Sequence, residues 1–139
     1  MTLRIVHAVS GDLDWLLAHD VHVSADWVRR CLDQQEYLLA WRGASPDGFL
    51  RFSRFWGRVP YLEMIQVEPR ARGAGVGRAL VAAWEAQMKA QGAAQVMTSA
   101  VADEPGPQAF HRANGYEEAG ALRLNGVQAT PEVFFTKAL

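Results

Sequence analysis

The residues with the most capacity for chemistry lie in one run, Val67-Glu68-Pro69-Arg70-Ala71-Arg72-Gly73-Ala74-Gly75-Val76-Gly77-Arg78. Gly73, Gly75 and Gly77, on alternate positions, remove Cβ atoms and bare a row of backbone N–H groups. From Val76 onward the pattern is helical, and a helix start adds unbonded N–H donors and about half a positive charge. Such a loop suits phosphate oxygens, a diphosphate above all. From Pro69 to Arg78 there are three arginines and no acid, so charge-assisted donors flank it.

Two familiar phosphate motifs do not fit. A dinucleotide G-x-G-x-x-G begun at Gly73 needs glycine where Arg78 stands, and a Walker A loop needs a Gly-Lys pair that is absent here. The run that fits is R-x-x-G-x-G, Arg72 to Gly77, after a strand ending in Val-x-Pro. One helix and one strand later comes Ala109-Phe110-His111-Arg112-Ala113-Asn114-Gly115-Tyr116. In this order and spacing the two segments resemble the acyl-coenzyme-A motif and the downstream helix-to-strand segment of the GNAT superfamily of N-acetyltransferases. The resemblance covers essentially the whole chain.

The resemblance implies an α/β fold: a central, mostly antiparallel mixed sheet with a splayed parallel pair and flanking helices. It implies acetyl-coenzyme A as cofactor, its phosphates held by Arg72, Gly73, Ala74, Gly75, Val76, Gly77 and Arg78. The pantetheine arm then lies between the strands 61–67 and 95–100, along Ile65, Gln66 and Val67, with Ile65 and Val67 backbone groups pairing as an added strand does. Two positions depart from the family pattern. His111 stands where a tyrosine is frequent, which bears on the proton donor. Glu104 stands where many members have an asparagine touching the pantetheine arm.

Acetyl transfer to a primary amine in a ternary complex requires an amine that loses a proton and a thiolate that gains one. Glu63 is the candidate base, because it interrupts an otherwise apolar strand beside the expected splay; His111 is the candidate donor. Ser99, near the mouth of the facing strand, reads as an ordinary serine that could position water. The resemblance places His19, Asp20, His22 and Asp26 over the acceptor pocket, so they are expected to line it. Trp27, Phe55 and Trp56 are its candidate walls, or else core. His19 and His22 would need a carboxylate partner to hold a metal, and none is expected. Cys31, the lone cysteine, sits at core-like spacing from Trp27 and Val28 with no activating base in its sequence neighbourhood, which makes it a poor candidate for a covalent nucleophile. From Asp12 to Glu36 six acids face two bases, which hints at a cationic acceptor such as a polyamine, an aminoglycoside or a peptide amine. Two other readings stay open: an acyl-coenzyme-A-binding module without catalysis, and a transferase of longer acyl chains.

These residues need elements to hold them. Leu3 to Val9 reads as a strand, followed by helices over 13–21 and 25–34, the second capped by Ser24. Strands follow at Tyr37 to Trp41, Phe49 to Trp56 and Tyr61 to Val67, joined by turns at Ser45-Pro46-Asp47-Gly48 and at Gly57 to Pro60. Val76 to Gln91 is the strongest amphipathic helix, stopped by Gly92. A strand over 95–100, a helix over 107–114 and strands over 116–122 and 133–138 complete the chain, and Pro131 opposes an unbroken hairpin across Asn125-Gly126. The 139 residues, half of them hydrophobic, read as one domain over 1–139. A net charge of −1 argues against broad nucleic-acid binding. No apolar run or leader pattern points to a membrane, so a cytoplasmic monomer or homodimer acting on a small-molecule or peptide amine is expected.

Overall fold

A computed structural model describes residues 2–139. Among them are seven strands: β1 (Arg4–His7), β2 (Tyr37–Trp41), β3 (Pro46–Phe55), β4 (Val59–Val67), β5 (Gln95–Val101), β6 (Glu117–Leu122) and β7 (Glu132–Ala138). The helices are α1 (Leu13–His19), α2 (Ala25–Asp33), α3 (Val76–Ala90) and α4 (Pro105–Ala113). The strands run in the sheet order β1-β2-β3-β4-β5-β7-β6. The β4–β5 pair is parallel, and β1–β2, β2–β3, β5–β7 and β6–β7 are antiparallel. This is the mixed α/β fold the motifs implied. The chain forms two compact units, Met1–Ser53 with Met64–Trp84, and Arg54–Glu63 with Glu85–Leu139.

In the first unit, β2 is buried along Tyr37 to Ala40. Leu16, Val28, Cys31, Tyr37, Leu39 and Phe49 share one core cluster, so the cysteine is core as expected. Ser24 caps α2 by accepting from the Trp27 N–H at 3.2 Å. On α3, Val76, Leu80, Val81 and Trp84 are buried, four residues at helical spacing, and Phe52 packs 5.8 Å from Trp84. Asp20 is also buried, accepting from Arg51 Nε at 2.7 Å and the Tyr37 hydroxyl at 2.5 Å. A buried carboxylate of this kind is retained only when paired.

The expected Ser45-to-Gly48 turn is corrected: β3 begins at Pro46, which pairs with Trp41 across a bulge. Proline is tolerated at the first residue of a strand, and Asp47 is drawn into place by two arginines. The Asp47 carboxylate accepts from Arg42 Nε at 2.7 Å and Arg70 Nη1 at 2.6 Å.

In the second unit, β5 lies against β7 from Gln95↔Ala138 to Val101↔Glu132, and β6 covers the other edge of β7. The turn into β4 falls earlier than expected, at Trp56-Gly57, with φ of +58° and +67° and a 3.0 Å bond from the Arg58 N–H to the Phe55 carbonyl. Positive φ at both central residues marks the hairpin turn whose twist matches the strands. Asn125-Gly126 does sit in a turn, closed from Val127 N–H to Leu124 C=O at 2.7 Å. Yet the strands stop at Leu122 and resume at Glu132, past Pro131, so no tight hairpin forms.

Candidate functional site

The first unit holds the phosphate-type loop. One 3₁₀ turn, Pro69–Ala71, follows β4, and Arg72 is extended before Gly73 and Gly75 turn to φ of +79° and +81°. A Cβ built on either glycine meets nothing within 4 Å. Their requirement is therefore conformational: open space surrounds them, but side chains rarely adopt that backbone. The α3 helix starts at Val76, and its first turn holds no acid to compete for its N-terminal donors. The cradle is open, cation-flanked and rich in N–H donors, and so fits a diphosphate.

The flanking arginines divide. Arg72 is exposed and its Nε rests on the Val67 carbonyl at 3.0 Å. Arg70 points back onto Asp47, Ser45 Oγ at 3.2 Å and the Pro46 carbonyl at 3.1 Å, so it anchors the loop's root. The bond from Arg42, with that from Arg70, holds the Asp47 carboxyl below the usual carboxylate range. The Glu68 N–H donates to the Asp47 carbonyl at 2.7 Å, and a Cβ on Gly48 would lie 2.6 Å from the Gln66 carbonyl oxygen. This clamp was not read from the sequence, where Asp47 looked like a turn residue.

His19 stacks on Trp15 at 3.9 Å and bridges the Trp15 carbonyl, 2.7 Å from Nδ1, and Glu68 Oε1, 3.0 Å from Nε2. Asp20 is enclosed by Arg51 and Tyr37, which corrects its expected place in an acceptor pocket. Glu36 is buried against Arg30 at 2.8 Å. The acidic run 12–36 therefore presents less charge to an acceptor than its composition suggests. Trp27 is half-buried against the core with the Arg30 guanidinium 4.6 Å over its ring. His22 and Asp26 are exposed.

The second unit carries Glu63, Ser99, Glu104 and His111. Parallel pairing of β4 with β5 is recorded at Tyr61↔Met97 and Leu62↔Thr98, and Glu63 follows at once. The His111 ring is buried, with Nε2 3.2 Å from the Ser99 carbonyl and Phe135 5.6 Å away. Burial pushes its imidazole below the ordinary histidine range despite the bond to Ser99, so the neutral ring donates from Nε2 to that carbonyl. Glu104 is the exposed N-cap residue of α4. Phe55 and Trp56 form an exposed hairpin tip with rings 4.6 Å apart, rather than core.

A hydroxyl chain missed by the sequence reading crosses the same unit. Tyr61 Oη lies 2.5 Å from Ser99 Oγ, which lies 2.6 Å from Glu132 Oε2. Gln128 Nε2 donates to Glu132 Oε1 at 3.0 Å.

A model of the acetyltransferase (GNAT) family matches residues 10–116, and the chain belongs to that family. Solved structures agree in fold. A GNAT-family acetyltransferase from Bacillus cereus is 21% identical with a TM-score of 0.80, over 99% of this chain and 98% of that one. The ribosomal-protein-alanine N-acetyltransferase of Brucella melitensis is 23% identical with a TM-score of 0.81, over 98% and 99%. A chain of the NatC complex, solved with Gag peptide and CoA, is 16% identical with a TM-score of 0.79, over 100% and 99%. No curated protein matches the chain in sequence. No helix among the described residues is long and apolar enough to cross a membrane.

Proposed function

We propose that the chain, acting as one domain over residues 1–139, is an acetyl-coenzyme-A-dependent N-acetyltransferase for a primary amine of a small molecule or peptide. The observation that carries this is the loop Arg72–Gly77: two positive-φ glycines open to solvent at the head of α3, in a GNAT family chain. Arg72 and the backbone of Gly73 to Arg78 hold the diphosphate, and the backbone of Ile65, Gln66 and Val67 takes the pantetheine arm. Bound acetyl-coenzyme A supplies the thioester that is the acyl donor. Coenzyme A in the related NatC structure supports this choice, and its peptide, with the Brucella protein's alanine, supports an amine acceptor. We place the protein in the cytoplasm, as a monomer or homodimer.

Within this reading Glu63 takes up the proton of the acceptor amine. His111, neutral because burial disfavours a charged ring there, gives up its bond to the Ser99 carbonyl to hydrogen-bond and stabilise the departing thiolate, which takes its proton from water. Trp27, Phe55 and Trp56 are the aromatic surfaces offered to the acceptor. Thiol release from acetyl-coenzyme A across a panel of amines tests the activity, and longer acyl thioesters test the donor. Calorimetric titration of Gly75→Val with coenzyme A tests the loop: unchanged affinity in a folded variant discards it. Glu63→Gln removes the acceptor of the proton, and turnover falls about 10²-fold. Normal turnover at pH 7 would leave Glu63 without a catalytic role.

A further inference from the structure

We infer that Tyr61, Ser99 and Glu132 form a proton relay that draws the proton off the acceptor amine and delivers it to the Glu132 carboxylate. The inference rests on the proposed acetyl transfer and is the alternative to Glu63 as base: near wild-type turnover in Glu63→Gln with Ser99→Ala slowed assigns the proton to the relay, and the reverse pattern assigns it to Glu63. Hydrogen positions follow from counting donors. Ser99 has one hydroxyl hydrogen, and the Glu132 carboxylate at 2.6 Å can only accept, so Ser99 donates to Glu132. Ser99 Oγ must then accept from Tyr61, 2.5 Å away, and the phenol donates. Both bonds are at the short end for O–H···O pairs, as expected where the terminal acceptor is charged.

The parts are held in place. Gln128 Nε2 donates to Glu132 Oε1 at 3.0 Å and to the Thr130 carbonyl at 2.8 Å, fixing the carboxylate's other oxygen. Ser99 pairs with Phe134 across β5–β7, and its carbonyl receives His111 Nε2 at 3.2 Å. The Tyr61 ring lies 6.1 Å from Phe134. Tyr61 and Glu63 alternate with Leu62 along β4 and so project from one face of the strand. The ionisable groups that meet Ser99 are Tyr61 on β4 and Glu132 on β7, at its hydroxyl, and His111 on α4, at its carbonyl.

The chemistry needs such an outlet. An ammonium and a thioester yield an amide, a thiol and one surplus proton. In the relay the amine N–H bond breaks as a Tyr61 O–H bond forms, while the phenol's own proton passes to Ser99 and the serine's to Glu132. The amine leaves the step neutral, both hydroxyls are restored, and Glu132 holds the proton as a carboxylic acid until water removes it. No oxidant or further reactant enters.

The test combines turnover and NMR on the full chain, with acetyl-coenzyme A and three probe amines: spermidine, kanamycin and an alanine-initiated peptide. Ser99→Ala lowers kcat about 10²-fold at pH 7 with coenzyme affinity unchanged. The deficit shrinks toward about pH 10 with spermidine and already toward about pH 8 with the peptide's α-amine, because the neutral fraction of an amine rises about tenfold per pH unit below its pKa. Ser99→Thr, which keeps the hydroxyl, restores most of the rate, and Tyr61→Phe behaves as Ser99→Ala. In the ligand-free chain a downfield, slowly exchanging hydroxyl proton is present in wild type and Ser99→Thr and absent in Ser99→Ala. A full rate in Ser99→Ala at pH 7, or a deficit equal at every pH, overturns the relay. Wild-type chain that binds coenzyme A but acetylates none of the probes refutes the proposed transfer and the relay with it, whereas a wild-type rate matched by Ser99→Ala refutes the relay alone.

Discussion

Gly48→Ala is the most discriminating single change in the first unit. The added Cβ would stand 2.6 Å from the Gln66 carbonyl oxygen and 3.2 Å from Val67 Cα, both of them backbone. Neither neighbour can swing aside as a long side chain would, so β3 and β4 have to part there by several tenths of an ångström. Overpacking of this kind costs about 1–3 kcal/mol. For a chain of this size that lowers the melting temperature by about 4–12 °C. The displaced groups are also those assigned to the pantetheine arm, just ahead of the phosphate loop. Coenzyme A affinity should therefore fall about tenfold or more, some 1.4 kcal/mol. Gly11→Ala is the control: beyond its chain neighbours no atom lies within 4 Å of its Cβ, and it sits in the short 3₁₀ turn Ser10–Asp12 with no left-handed φ. That variant should melt at or above the wild-type temperature, by up to about 1 kcal/mol of added stability. If Gly48→Ala melts with Gly11→Ala and binds coenzyme A normally, the close approach of β3 to the end of β4 does not position the site.

Three further outcomes follow from buried groups. Arg51→Ala strands the Asp20 carboxylate, which is buried at 2.7 Å from Arg51 Nε, and denaturant unfolding should show a loss of about 3–5 kcal/mol. Asp47 is held low by Arg42 and Arg70, so its stabilisation is complete above about pH 4 and fades as the pH falls through its lowered native value. Asp47→Asn should flatten that acid limb of the melting profile and weaken coenzyme A binding in calorimetry. Burial depresses His111 as well, so its contribution is complete above about pH 6.5 and is lost on acidification as the unfolded chain takes up the proton first. His111→Tyr should remove this limb and keep part of the turnover that His111→Ala loses, with coenzyme affinity changed little in either; a fully active alanine variant would leave His111 a structural cap of the Ser99 carbonyl.

By itself the sequence determined what is local. The alternate glycines, the helix period of α3 and the Ser24 cap each depend on neighbours within a turn or two, and all stand where they were read. The family's two motifs could be seen because backbone conformation, and not partner identity, constrains them. Turn positions slipped at Pro46 and Trp56, because an ion pair to Arg70 and a left-handed tryptophan overrode the usual turn preferences. What only the tertiary structure decided is which charges and hydroxyls meet. Arg70 reaches Asp47 across 23 residues, Arg51 reaches Asp20 across 31, Ser99 reaches Glu132 across 33 and Tyr61 reaches Ser99 across 38. No periodicity encodes such pairs; for Tyr61, Ser99 and Glu132 it is the pairing of β4 with β5 and of β5 with β7 that brings them within bonding distance. The same closure turned Asp20 from a candidate acceptor contact into a buried counter-ion, because a carboxylate removed from water must be matched where it lies.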